Sequence, residues 1–88
     1  MHRQTYAVWW NEDGGPRRAG RLEVGRLQAL FSGNGNGRLA LPLDQVTSVE
    51  YARGEVVIHR RDAADVRIGS LDAPGALREC AMRLASAA

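Results

Sequence analysis

The sequence predicts a mainly β domain: a seven-stranded antiparallel barrel or orthogonal sandwich capped by one C-terminal α-helix. Three observations carry this. Short apolar runs alternate with period two as far as Ile68. Turn-forming clusters separate them about every ten residues, the spacing of hairpin-linked strands. Beyond Leu71 the apolar period changes to that of a helix.

In the first run, Tyr6, Val8 and Trp10 alternate with Ala7 and Trp9. The loop "NEDGGPRRAG" follows, broken by Gly14, Gly15 and Pro16. Leu22 and Val24 form the second row, and Leu27, Ala29 and Phe31 the third, with Leu30 on the outward phase. "SGNGNG" (32–37) supplies positions tolerant of positive φ, as a tight hairpin requires. Leu39, Leu41 and Leu43 make the fourth row; Val46, Val49 and Tyr51 belong to the fifth strand. A turn at Arg53–Gly54 leads to Val56 and Ile58, and a turn over 61–65 leads to Val66 and Ile68. A helix is expected over about 73–86, with Asp72 or Ala73 as N-cap and Pro74 in the first turn, where its missing N–H costs nothing. Ala73, Leu77, Cys80, Ala81 and Leu84 line one side, opposite Arg78, Glu79 and Arg83. So short a helix is not stable alone and must rest on the sheet. The strands (about 5–70) and the helix read as one domain over 1–88.

Composition excludes several classes. The charge of +2 is too weak for nucleic-acid binding by itself. All twelve basic residues are arginine, scattered along the chain as coding bias would leave them. No apolar run approaches the length of a membrane span, and the N-terminus lacks a signal-peptide pattern. With one cysteine and no internal disulfide, a cytoplasmic location is expected.

The stretch "LALPLDQVTSVEYARGEVVIHRRDAADVRIGSLDAPGALRECAMRL" resembles, in order and spacing, the pleckstrin-homology-like superfold in its small bacterial, GRAM-type versions. The likeness covers nearly the whole chain. It implies two nearly orthogonal sheets, strands one to four and five to seven, with the helix capping one corner. It also implies a non-catalytic module binding phosphoinositide headgroups, peptides or protein surfaces. An SH3-like or OB barrel with an added helix is the rival architecture; those usually need five strands, fewer than the seven runs seen here.

No catalytic constellation is legible. Cys80 falls on the buried stripe, His59 on a strand facing away from Val56 and Ile58, and no His/Cys cluster has metal spacing. The glycine run is not a phosphate loop, since no helix follows it. No cofactor is expected.

Two binding surfaces are expected. Consecutive strand residues face opposite sides, so Trp10 belongs to the core and Trp9 to the outside. The alternatives are that Trp9 lies under a loop or that a bent first strand buries both indoles. An outward Trp9, extended by Leu30, would make a protein-binding patch, most simply for a second copy in a homodimer. In peptide-binding relatives of the superfold a peptide adds to strand five beside the helix; here that surface is Val46, Ser48 and Glu50, with no proline to protect the edge. The second reading is a membrane-surface module. The resemblance implies that Arg17, Arg18 and Arg21 in the first hairpin would grip anionic headgroups, but the expected lysine is absent, the basic spacing differs, and Glu12 and Asp13 oppose an anion.

Overall fold

The strand pairing follows from where the apolar rows must go. The computed structural model describes residues 4–33, 37–71 and 76–87. It contains β1 (Gln4–Glu12), β2 (Arg18–Val24), β3 (Gln28–Gly33), β4 (Arg38–Pro42), β5 (Val46–Ala52), β6 (Glu55–Arg60), β7 (Val66–Ser70) and α1 (Ala76–Ala87), with a 3-10 turn at Leu43–Gln45. The strands run antiparallel in one sheet of order β4-β3-β2-β1-β7-β6-β5. β4 and β5 lie at opposite edges, yet only the three residues of the 3-10 turn join them. Three residues reach roughly 10 Å, whereas a flat seven-stranded sheet holds its edges about 29 Å apart. The sheet must therefore curl into a half-barrel.

The two sheets expected from the resemblance are thus continuous. β1 joins them: it pairs with β2 from Gln4 to Trp10 and with β7 from Val8 to Glu12, so Val8–Trp10 are paired on both sides. The concave face gathers Val8, Trp10, Leu22, Phe31, Leu41, Val56, Ile58, Val66 and Ile68, all essentially inaccessible to water. Trp10 packs on Phe31 with ring centroids 5.2 Å apart, and its indole reaches over Gly33, where a side chain would crowd it. Leu77, Cys80, Ala81 and Leu84 of α1 close the core, lying chiefly along β5. The helix is the cap that the period change predicts. Its expected N-cap at Asp72–Pro74 lies outside the described residues, as does the centre of the 32–37 hairpin.

Three expectations are corrected. Leu27 is 83% exposed rather than part of the third row. The chain turns there: Gly25 N–H donates to the Gln28 carbonyl and Leu43 N–H to the Leu27 carbonyl, each at 2.9 Å, so β3 begins only at Gln28. Leu43 is buried, but from the 3-10 turn rather than from a strand. Val46 is 6% exposed and belongs to the core. A bulge between Val46 and Ser48 is responsible, because one extra residue reverses the face on which the following residues stand. Val46 thereby joins Val49 and Tyr51 on the inner face, while Ser48 and Glu50 turn outward.

Candidate functional site

The convex face of the sheet carries the side chains left over from the core. Trp9 is the largest. Cross-strand register sets it between Ala19 of β2 and Gly69 of β7, and Gly69 pairs in turn with Glu55 of β6. Gly69 is a seat for the indole: a Cβ there would overlap Trp9 Cε2 and Nε1. The Arg17 guanidinium stacks over the same ring, 4.0 Å from its centroid. Trp9 therefore faces outward, yet it is half-buried beneath a residue of the β1–β2 loop. The two readings of the tryptophan pair are both realised in part.

Beside the indole lies a shallow depression of about 320 Å³, lined by Trp9, Arg53, Gly54, Glu55, Gly69 and Ser70. Its rim is the β5–β6 turn, where Arg53 (φ +56°) and Gly54 (φ +76°) both adopt the left-handed conformation of a two-residue hairpin. Glu55 faces Arg67 at 3.7 Å. Among the described residues, Arg53 and Trp9 Nε1 have no hydrogen-bond or ionic partner, and Arg17 has only its indole contact.

The other predicted residues are not brought to this place. Leu30 is on the same face but in the row of Glu23 and Thr5. Four residues of strand and two strand spacings separate that row from Trp9, roughly 16 Å. Trp9, Leu30 and β5 do not form the continuous apolar patch from which a homodimer is expected. Ser48 and Glu50 are exposed on the outer face, whereas α1 covers the inner one, so they do not line a groove with the helix. The basic trio diverges as well. Arg17 covers Trp9, Arg21 stands outward opposite Ala7 and Ser32, and Arg18 stands in the inward-facing row of Trp10, lying against Gly37. Glu12 accepts from Arg60 Nη2 at 3.1 Å, and the Arg60 side chain is 8% exposed.

A second polar cluster occupies the outer face of β5 and β6. Glu50 Oε2 lies 3.0 Å from His59 Nε2, and Asp65 Oδ1 lies 3.1 Å from His59 Nδ1. The hydrogen bond to Glu50 raises the imidazole above its ordinary pKa; burial opposes the rise and Asp65 supports it. With both ring nitrogens held by carboxylates, His59 is arranged as a cation rather than as a general base. Cys80 is buried, and burial pushes its thiol up to about 12, so it is not poised as a nucleophile. Among the described residues no cluster of His, Cys, Asp or Glu could hold a metal ion, and no helix is long and apolar enough to cross a membrane.

In its fold the chain is similar to the C-terminal domain of an unknown protein from Leishmania infantum. The TM-score is 0.76 at 10% identity, over 92% of this chain and 81% of that one. At that identity the likeness shows the fold alone. No family model matches the sequence, and no curated protein does.

Sequence reasoning found Trp9 but missed its seat and its neighbours. Gly69 did carry a signal: a lone glycine inside a strand marks close approach by another group. Nothing local identified which group.

Proposed function

We propose that this chain is a pleckstrin-homology-like module that acts without catalysis, binding a protein partner through the outer face around Trp9. The strand order and single capping helix support that class of fold. The observation that carries the reading is the placement of Trp9. A large indole is held outside the core, on a glycine seat, under the Arg17 guanidinium and beside an open depression that Arg53 borders. Tryptophan and arginine so placed are the residues that dominate protein interfaces. The spread of Arg17, Arg18 and Arg21 over both faces disfavours the membrane-surface reading.

The test is photo-crosslinking in cells. A photoreactive residue replacing exposed Ala19, next to Trp9, is expected to trap a defined protein, with capture lost on adding Trp9→Ala. Equal capture from a probe at exposed Asp62, or capture only from Ser48 on the edge strand, would count against this face.

A further inference from the structure

The depression is lined by one cation, Arg53, and one anion, Glu55, and Arg17 stands beside it on the Trp9 ring. Arg17 and Arg53 present guanidinium groups with no carboxylate partner among the described residues, while Glu55 is offset by Arg67. The Arg17 guanidinium carbon lies 4.0 Å from the indole centroid, and a guanidinium carries five N–H donors, so the group can meet a carboxylate while it covers the ring. Trp9 Nε1 lies over Gly69 at the same place. The indole, Gly54 and Gly69 supply the apolar lining of the depression, with Ser70 and Glu55 beside them.

We infer that the depression binds an acidic peptide segment of a partner protein, its carboxylates held by Arg53 and Arg17 and an adjoining apolar side chain resting in the depression against the edge of the Trp9 ring. This rests on the interaction reading and names the chemistry of the partner. Charge complementarity selects an anion. The shape selects a peptide over a membrane: the indole lies flat against the sheet under Arg17 and does not project from a loop tip, so an acyl region cannot reach it. A segment crossing the strands can. The open, shallow form suits a few side chains.

The experiment is a tryptophan-fluorescence titration of the full chain with a blocked Glu-Leu-Glu-Leu-Glu peptide. Trp10, fully buried, supplies a constant background. Parallel arms use the Gln-Leu-Gln-Leu-Gln peptide, inorganic phosphate, and vesicles of phosphatidylcholine with phosphatidylserine. The Glu peptide is expected to give a saturable change that weakens with salt. Affinity should fall by at least about tenfold in the Arg17→Gln/Arg53→Asn double variant, where two charge-assisted contacts are lost. Asn tolerates the left-handed backbone at position 53. Each single variant should lose part of the affinity. A control pair of equal charge change, Arg26→Gln/Arg38→Gln, should bind as the parent does. No saturable change, equal binding of the Gln peptide, an equal loss in the control pair, or a response to phosphate or vesicles alone would each overturn the inference. Should crosslinking at position 19 succeed while the Glu peptide fails, the interaction surface stands and its acidic specificity falls.

Discussion

Replacing Gly69 by alanine tests the seat of Trp9 through energetics. The new Cβ would overlap the indole, so the ring must leave the sheet. Backbone strain does not complicate the result, because Gly69 is not among the positive-φ glycines. One face of an indole covers about 80 Å² of apolar surface, so unseating it costs about 2 kcal/mol at 25 cal/mol per Å². Loss of the Arg17 stack adds about 0.5–1 kcal/mol. Gly69→Ala should thus destabilise by about 2–3 kcal/mol and shift tryptophan emission to the red. In a Trp9→Ala background the clash is gone. There the same substitution should be neutral or stabilising by up to about 1 kcal/mol, as Gly→Ala usually is within a strand. Urea unfolding followed by circular dichroism over the four-member cycle should give a coupling above about 1.5 kcal/mol. Equal costs of Gly69→Ala in both backgrounds would refute the proposed seating.

Other outcomes follow from the core and the polar clusters. Leu77→Ala and Leu84→Ala should each cost about 2–5 kcal/mol in urea unfolding, since both side chains are fully buried; a loss below about 0.5 kcal/mol at both sites would mean that α1 is undocked. Gly20→Ala should be harmful whether or not Trp9 is present, because its Cβ would overlap the Ser32 backbone carbonyl, which cannot swing aside. For His59 the folded pKa is raised, so its contribution is complete below the ordinary histidine value of 6.5 and is lost as pH rises through the folded value. Denaturation midpoints of the parent should exceed those of His59→Gln more at pH ~5.5 than at pH ~8.5. Exposure of the cluster limits the effect to about 1 kcal/mol or less, and a gap that widens with pH would reverse the assignment.

What was legible in the sequence is what depends on neighbours along the chain. Alternation assigned Val56, Ile58, Val66, Ile68 and Trp10 to the core, because side chains of a strand must alternate faces. The change of period identified the helix and its stripe of Leu77, Cys80, Ala81 and Leu84. What failed depends on register across the sheet. The bulge after Val46 leaves no mark in the apolar pattern, yet it decides which of Val46, Ser48 and Glu50 a partner can touch. The seating of Trp9 on Gly69 joins residues from the first and last strands. Likewise, Glu12 with Arg60, and His59 between Glu50 and Asp65, are pairings made by the fold. The contact of Arg17 with Trp9 is local in sequence, but it depends on how a tight turn closes: Asp13 and Gly14 take positive φ while Gly15 N–H donates to the Glu12 carbonyl at 2.9 Å.

Residue-resolved NMR of the labelled chain tests the central claim most directly. The chain has two tryptophans and hence two indole N–H signals, which Trp9→Phe assigns. Adding the Glu-Leu peptide should move the Trp9 indole signal together with the amides of Arg53, Gly54 and Gly69, while the Trp10 indole stays in place. Perturbations confined to Ser48, Glu50 and the helix, with Trp9 unmoved, would contradict the account and place recognition at the edge strand instead.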